Sequence, residues 1–369
     1  MRRILFTLLS LSLGFTIYAE GIVSWLQTSH DFGTFKEETG KVACDIKFVN
    51  TGDTDIRISN VRPTCGCTAS SYTLGAIAPG DTATITLIYN PKGRPGRFEK
   101  DTYVYTDGTP QKSIVTIKGN VIGSPATIQE KYPISAGGLK LEKRIIPFGE
   151  LTKGKSRTLF ISAYNQSEDS LTAEFTNLPK YIDAEMIPPI VNPGEQSTIT
   201  ITFHSESCND WGLTQDSFVM ETLPANGTSN NASAGIVNID ITAILKEHFD
   251  NTNHINAPIA KLSTDKVDFG RFSLNGGIAT RTLKITNAGK TMLKIRKIYT
   301  LDSGVEILCK KNEIKPGKTA EVVLSVNPQD ISKILNAKII VITNDPEKPQ
   351  QTVRLVGQIN ETISNINAN

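Results

Sequence analysis

The sequence has little of what enzymes and metal proteins usually need. Its 369 residues include four histidines, five cysteines and 7% aromatic residues. It contains no Gly-x-Ser-x-Gly elbow, no phosphate-binding glycine-rich loop and no histidine-rich metal motif. Its acidic residues are scattered singly, without the visible pairing used in glycoside hydrolysis. We therefore expect a protein that is not an enzyme and that holds no cofactor and no metal ion.

The N-terminus has the pattern of an export signal. Arg2 and Arg3 precede an apolar run from Ile4 to Ile17, and Ala19 offers a small residue for cleavage. The run is too short to span a bilayer comfortably. We predict a signal peptide at residues 1–19, no membrane span after its removal, and a location in the periplasm, at the cell surface or outside the cell.

The charge of the predicted mature chain excludes one class of partner. Removing Arg2 and Arg3 lowers the Lys+Arg count from 39 to 37, which equals the Asp+Glu count of 37 and gives a net charge of zero. Such a balance does not favour nucleic acid as a partner. The local basic cluster, Lys92 to Lys100, is interpreted as a solvated hairpin loop.

What the sequence does contain is a threefold repeat. Phe-Gly pairs are followed by Asn-centred turns and then by Pro-Gly pairs. The distance from the Gly to the Asn is 17, 16 and 17 residues, and that from the Asn to the Pro is 29, 28 and 29. Spacing kept this closely indicates one supersecondary unit used three times. The three series are Phe32-Gly33, Asn50 and Pro79-Gly80; Phe148-Gly149, Asn165 and Pro193-Gly194; and Phe269-Gly270, Asn287 and Pro316-Gly317.

Apolar residues alternate with polar ones in every block, and helical periodicity is nearly absent. Val42 to Phe48 and Thr82 to Tyr89 are typical of strands with one buried face. Short alternating strands with regular turns predict an all-β chain of three tandem immunoglobulin-like antiparallel sandwiches, with about seven strands each. We place the domains at residues 22–123, 131–246 (with loop insertions) and 258–360.

The repeat also resembles a known family. With Cys65-Gly66-Cys67-Thr68 in its first block, it is similar to an exported bacterial domain family of unknown function. That family is related to Hydin-like (ASH-type) immunoglobulin-like domains and, more distantly, to major sperm protein and PapD-type sandwiches. The resemblance implies an immunoglobulin-like fold and a binding or scaffolding role, and it brings no catalytic residues.

The cysteines are the candidate site. Cys44 lies on the inward face of an early strand, and we favour a structural bridge from it across the sandwich to Cys65 or Cys67, or buried thiols. A Cys65–Cys67 bridge would require a bend, which Gly66 allows, and would be redox-active. The third interpretation is a thiolate pair for a soft metal such as Cu(I) or Zn(II).

Trp211 is the candidate partner contact. It lies in the polar segment after Cys208, where a Trp can stack on a sugar or on a partner's side chain. The alternative is a ring folded back over the end of its own sandwich, which we favour. We expect a protein or glycan partner of unknown identity to contact loops at the sandwich ends or an exposed strand edge.

The leading hypothesis is therefore an exported, non-enzymatic binding or scaffolding protein. The alternative is a periplasmic thiol protein that uses Cys65 and Cys67 for redox exchange or soft-metal binding. A PapD-like assembly chaperone is a third and weaker hypothesis, because three blocks with short linkers do not suggest a two-domain peptide cleft.

Overall fold

The computed structural model describes residues 19–227, 234–249, 254–273, 276–331 and 333–360. The predicted signal peptide lies outside these ranges except for its last residue, and its assignment stays a prediction. The described residues form six β-sheets, which pack in pairs as three sandwiches. In this part of the chain, no helix combines the length and apolarity that a membrane crossing requires.

The first sandwich pairs a sheet of order β1-β3-β6-β5 with a sheet of order β2-β8-β7-β4. Its strands are β1 (Val23–Trp25), β2 (Ser29–Lys36), β3 (Val42–Asn50), β4 (Ile58–Pro63), β5 (Thr68–Tyr72), β6 (Thr82–Tyr89), β7 (Gly96–Thr106) and β8 (Lys112–Ile122). A 3₁₀ turn, Glu37–Thr39, separates β2 from β3.

A short helix, α1 (Pro125–Lys131), follows the first sandwich, with Ser124 as its N-cap. The second sandwich then pairs sheets of order β14-β15-β12-β10-β9 and β11-β17-β16-β13. Its strands are β9 (Ile134–Ala136), β10 (Leu139–Leu141), β11 (Ile145–Thr152), β12 (Ser156–Asn165), β13 (Leu171–Thr176), β14 (Ile182–Ile187), β15 (Gln196–His204), β16 (Gly212–Pro224) and β17 (Gly235–Lys246).

The third sandwich pairs sheets of order β18-β20-β24-β22 and β19-β26-β25-β21-β23. Two 3₁₀ turns, His254–Asn256 and Pro328–Asp330, accompany it. Its strands are β18 (Ala260–Leu262), β19 (Lys266–Ser273), β20 (Ala279–Asn287), β21 (Leu293–Thr300), β22 (Val305–Cys309), β23 (Glu313–Ile314), β24 (Thr319–Val326), β25 (Ile334–Thr343) and β26 (Gln350–Asn360).

The all-β immunoglobulin-like prediction is confirmed, with two differences in detail. Each sandwich has one parallel pairing, in which an early strand lies beside the last one: β2 with β8, β11 with β17 and β19 with β26. The strand segments also number eight or nine instead of seven. In the first sandwich, β1 and β2 follow each other along the chain but join opposite sheets, and β1 pairs antiparallel with β3. In the third sandwich, β18 and β19 do the same, and β18 pairs antiparallel with β20.

The Phe-Gly pairs lie within these parallel strands and not at their ends. The register slips between Asp31 and Thr34, and the same interruption occurs at the other two pairs. Each glycine has a positive φ, +66° at Gly33, +67° at Gly149 and +71° at Gly270. A bulge with a left-handed residue favours glycine. The first Phe-Gly pair thus encodes a bulge beside the parallel pairing.

We expect Gly33→Ala to lower the free energy of unfolding of the first sandwich by about 1–2 kcal/mol. No heavy atom lies within 4 Å of the added Cβ, so the cost is backbone strain and not a clash. Gly33→Asn should cost less, because Asn tolerates the left-handed region. Urea denaturation followed by Trp25 fluorescence, in a Trp211→Phe background, measures both. Equal midpoints for the two variants would contradict this account.

A buried asparagine links three segments of each sandwich. Asn50, Asn165 and Asn287 end β3, β12 and β20 and have no exposed surface. Each carboxamide donates one hydrogen bond to a carbonyl four residues later and one to a carbonyl 26 or 27 residues later. Each backbone carbonyl accepts from the glycine of the Pro-Gly pair. These bonds explain why the Asn-to-Pro spacing is kept within one residue.

Each sandwich has its own apolar core, formed by the inward faces of its two sheets. In the first sandwich, Ile46, Phe48, Ile85 and Leu87 from one sheet meet Ile117 from the other, and all have no exposed surface. Burial of apolar side chains is the main stabilising contribution in such folds. The three cores give each repeat an independent source of stability.

Candidate functional site

The Cys65-Gly66-Cys67 segment connects β4 to β5, and so joins the two sheets of the first sandwich. The two sulfurs form a disulfide, with the Cα atoms 5.3 Å apart. Residues two apart in a straight strand lie ~6.6 Å apart, so the chain bends at the glycine between them. Backbone bonds hold both ends: Thr64 N–H donates to the Asp101 carbonyl over 3.0 Å, and Asn90 N–H to the Cys67 carbonyl over 2.9 Å.

The two sulfurs differ in exposure and share a hydroxyl donor. Cys65 is half-buried, whereas Cys67 is only 7% exposed. The Cys67 N–H donates to Cys65 Sγ over 3.3 Å. The Thr68 hydroxyl lies 3.6 Å from Cys65 Sγ and 3.9 Å from Cys67 Sγ. Both sulfurs therefore have a polar donor, and Cys65 is the more accessible of the two.

The bridge from Cys44 to this pair does not form in the structure, and that interpretation is corrected. Cys44 lies on β3, and the segment after Cys67 is β5; both strands belong to one sheet, with β6 between them. Strands two positions apart are separated by about 10 Å, beyond the reach of a disulfide. Burial, and to a lesser extent the charge of Asp45, raises the pKa of the Cys44 thiol to about 11.

We expect alkylation to distinguish the five cysteines in three steps. Cys44, Cys208 and Cys309 are free, but the first two are buried. The native protein should therefore react quickly at Cys309 alone, the denatured protein at all three free thiols, and the reduced, denatured protein at all five. Mass measurement of each product checks this. Fast native alkylation of Cys44 would contradict the assigned burial.

Trp211 lies at the contact between the second and third sandwiches, beside Lys153 of its own sandwich and beside a residue of the next one. Lys153 Nζ lies 4.8 Å from its ring centroid, and the Arg296 guanidinium carbon lies 4.7 Å away. Arg296 belongs to β21 of the third sandwich. A cation over an indole face is attracted by the ring quadrupole. Trp211 therefore contacts the chain's own next domain.

Polar bonds complete this second junction. Arg296 forms a bidentate ion pair with Glu247, and both side chains are largely buried. Lys297 Nζ pairs with Asp210 over 2.7 Å and donates to the Leu213 carbonyl over 3.0 Å. Bidentate arginine–carboxylate geometry fixes direction as well as distance. These bonds set the orientation of the third sandwich against the second.

The first junction is built around Tyr164, a fully buried side chain of β12. Its hydroxyl accepts a hydrogen bond from Gly123 N–H over 3.1 Å, and its ring stacks on Tyr132 beyond α1. Gln196 donates to the Pro95 carbonyl over 2.9 Å and to the Tyr132 hydroxyl over 2.6 Å. These contacts tie the linker to the second sandwich.

Two charged side chains of the first sandwich complete this junction. Arg97, a member of the predicted solvated basic cluster, pairs with Glu195 of the second sandwich while its side chain stays 73% exposed. Glu37 accepts hydrogen bonds from Gly93, Ser124 and Thr127. Burial alone would raise the pKa of Glu37, but these bonds lower it below its ordinary value. The helix start at Ser124 is thereby held to the first sandwich.

Sequence reasoning missed a further surface, the outer face of the sheet β2-β8-β7-β4. Tyr103 and Tyr105 point outward from β7, because Thr102 and Val104 between and beside them are buried. Lys112 Nζ lies 4.2 Å from the Tyr103 ring centroid and 5.8 Å from that of Tyr105. The alternating Tyr-Val-Tyr of β7 was the available signal.

Two residues of the neighbouring strands extend this surface. Arg62 of β4 and Ile114 of β8 are both in register with Tyr103, and Ile114 is 49% exposed. In the described part of the chain, neither Arg62 nor Lys112 forms an ion pair. We call Arg62, Tyr103, Tyr105, Lys112 and Ile114 the aromatic–cationic face.

Within the described ranges, no group of three or more His, Cys, Asp or Glu side chains is placed to hold a metal ion. The Cys65–Cys67 pair therefore gains no further ligand of these types there.

Comparison with known proteins gives family matches for the first and third sandwiches. Residues 23–121 match a family described as protein of unknown function (DUF1573), and residues 258–358 match the HYDIN/CFA65/VesB-like, Ig-like domain. No curated protein matches the chain.

The solved structures that match this chain are distant from it in sequence. A protein of unknown function from Porphyromonas gingivalis W83 is 17% identical, with 60% of this chain and 100% of that chain covered and a TM-score of 0.46. The ASH/PapD-like domain 7 of human CEP192 is 9% identical, with 32% of this chain and 93% of that chain covered and a TM-score of 0.25. The first sandwich is therefore similar to a domain family of unknown function, and the third is similar to Hydin-like immunoglobulin-like domains.

Proposed function

We propose that the chain is an exported, non-enzymatic binding and scaffolding protein that holds an acidic segment of a partner protein on the aromatic–cationic face. The observation that carries the proposal is this face itself. It joins two half-buried tyrosine rings to two cations that have no carboxylate partner among the described residues.

The chemistry of the face favours a protein partner with carboxylates. Tyrosine and arginine are enriched where protein interfaces derive most of their binding energy, because they combine apolar area with a polar group. Arg62 can take a carboxylate in a bidentate pair, and Lys112 adds a second positive charge. Ile114 supplies exposed apolar area between them. Acidic side chains flanking an apolar residue would satisfy all five.

The scaffolding part of the proposal rests on the two junctions. Each combines an aromatic residue, the buried Tyr164 or the half-buried Trp211, with ionic and hydrogen-bonding contacts between the domains. Contacts of this kind limit the relative motion that separate domains would otherwise have. The partner held by the first sandwich would thus keep a defined position relative to the third.

Site-specific photocrosslinking tests the proposal. A benzophenone amino acid replaces Ile114 in the cell that makes the protein, and Ile334 of the third sandwich, which is 66% exposed, serves as the matched control position. We expect one major crosslinked protein from position 114 and none from position 334. The crosslinked partner peptide should contain Asp or Glu, and the yield should fall as ionic strength rises.

Charge reversal on the face supplies the specificity control. Arg62→Glu and Lys112→Glu should each reduce the crosslinking yield about tenfold, because each replaces an attraction by a repulsion. Lys318→Glu, an exposed change in the third sandwich, should leave it unchanged. Crosslinking that is equal at both positions, or that survives both reversals, would show that this face is not the binding site.

A further inference from the structure

We propose that Cys65 and Cys67 form a thiol–disulfide exchange site that accepts two electrons from a dithiol, with Cys65 as the attacked sulfur and Cys67 as the leaving one. This inference is independent of the proposed binding face, and each can fail without the other. It rests on three features of the bond: the short loop that it closes, the unequal exposure of its sulfurs, and the donors around them.

The loop is too short for the bond to act mainly as a staple. A cross-link stabilises a fold by an amount that rises with the number of residues in the loop it closes. This bond joins residues only two apart in sequence. The connection between β4 and β5 is already held by backbone bonds at Thr64 and at Asn90. The first sandwich can therefore keep its fold when the bond opens.

Exposure determines which sulfur a partner can reach. Cys65 is half-buried at the end of the sandwich, whereas Cys67 faces the core and is 7% exposed. Exchange requires in-line access of a thiolate to one sulfur and departure of the other. The partner's thiolate therefore attacks Cys65 Sγ.

The surroundings favour the thiolates that exchange produces. The Thr68 hydroxyl reaches both sulfurs, at 3.6 Å and 3.9 Å, and the Cys67 N–H reaches Cys65 Sγ at 3.3 Å. Hydrogen bonds to a thiolate stabilise it relative to the thiol. Thr68 can serve first the departing Cys67 sulfur and then the departing Cys65 sulfur.

The full reaction balances with a dithiol as the co-reactant. One thiolate of the dithiol attacks Cys65 Sγ, the Sγ–Sγ bond breaks, and its electron pair leaves on Cys67. The second thiolate of the dithiol then attacks the dithiol sulfur that is bonded to Cys65, and the Cys65 thiolate leaves. The dithiol is oxidised to a disulfide, the pair is reduced, and the two thiol protons end on Cys65 and Cys67.

The first test maps the mixed disulfide on the oxidised full-length protein. A cysteine-containing monothiol peptide is added, the reaction is stopped with acid, and the adduct is located by digestion and mass measurement. We expect the adduct on Cys65 in at least roughly tenfold excess over Cys67, because attack depends on access. Equal adducts on the two residues, or none until the protein is denatured, would overturn the proposal.

Variants separate exchange from a structural role. Cys67→Ser should trap the adduct formed by a disulfide-bearing peptide on Cys65, because the resolving thiol is gone, whereas Cys65→Ser should form little. Thr68→Val should slow reduction by dithiothreitol about fivefold, the equivalent of one hydrogen bond, and Thr68→Ser should restore the rate. If either cysteine variant does not fold, the two Thr68 variants and the map of the adducts still test the proposal. An unchanged rate in Thr68→Val would show that this hydroxyl takes no part.

Reduction must also leave the fold intact. The circular dichroism spectrum and the thermal midpoint of the first sandwich should change little after the pair is reduced. Unfolding of that sandwich on reduction would identify the bond as a staple and would refute the proposal.

Discussion

Asn50→Asp is expected to destabilise the first sandwich by roughly 3–5 kcal/mol. The Asn50 carboxamide has no exposed surface, and its two N–H groups donate to the Thr54 and Ile77 carbonyls over 2.8 and 2.9 Å. A carboxylate cannot donate to either carbonyl and would face both across the same short distances. The Ile77 carbonyl keeps the Ile56 N–H as a donor, so the cost comes from the two lost bonds, from the buried charge and from the Thr54 carbonyl, and a buried carbonyl left without a donor costs about 1–3 kcal/mol. The loss approaches the whole stability of a small domain.

Tryptophan fluorescence can isolate this effect within a three-domain chain. The sequence has two tryptophans, and Trp25 packs against Phe48 in the first sandwich. In a Trp211→Phe background, urea denaturation followed at Trp25 reports that sandwich alone. Asn60→Asp, at an exposed position of β4 in the same sandwich, is the matched control and should shift the midpoint little. Equal shifts for the two variants would contradict the role assigned to Asn50.

The repeat spacing predicted that this asparagine position is constrained, but not the hydrogen bonds that its side chain makes. The sequence suggested only a turn at each Asn, since Asn and Gly tolerate turn conformations. The structure shows instead that the side chain bonds to carbonyls both four and about 27 residues away. Local turn rules cannot reveal a bond across a sheet sandwich. They can only show, as the 29, 28 and 29 spacing does, that some constraint exists.

Alternation of apolar residues predicted the strands and the buried faces well, because period-2 patterning depends only on local geometry. It could not predict the parallel pairing of β2 with β8, since both orders of pairing bury the same residues. The error at Cys44 has the same origin. Alternation correctly predicted that Cys44 faces inward. It does not report strand order, which determines the sheet that follows the Cys65–Cys67 loop.

The junctions and the aromatic–cationic face were beyond the sequence for a related reason. Trp211 was recognised as unusual in a polar segment, but its contact, Arg296, lies 85 residues further along a different repeat. Tyr103 and Tyr105 were visible as alternate residues, but only the register of β7 against β4 and β8 brings Arg62 and Ile114 beside them. Surfaces of this kind arise from tertiary placement.

Arg296→Glu is expected to separate the second and third sandwiches while leaving each folded. Arg296 forms a bidentate pair with Glu247, and the two side chains are 25% and 18% exposed. It also lies over the Trp211 ring. The variant replaces both attractions by repulsion between two partly buried carboxylates. We estimate a loss of about 3–4 kcal/mol in docking free energy, a shift of roughly 100- to 1000-fold toward the open junction.

Single-molecule energy transfer measures this directly. Dyes attached through unnatural amino acids at Glu174 and Lys318, exposed positions of the second and third sandwiches, report the distance across the junction. The native chain should give one narrow distribution, and Arg296→Glu a broad one. Lys294→Glu, two residues earlier on β21, disrupts only a surface pair with Glu313 inside the third sandwich and should keep the distribution narrow.

The charge-swapped double variant decides whether the pair itself is responsible. Arg296→Glu combined with Glu247→Arg restores opposite charges at the junction and should recover most of the narrow distribution, although the cation over Trp211 is still lost. Recovery to an intermediate width would mean that the ion pair and the ring contact each contribute to the docking energy. The double-mutant cycle then gives the share of each. A distribution that stays broad would mean that the backbone, and not this pair, holds the two sandwiches together.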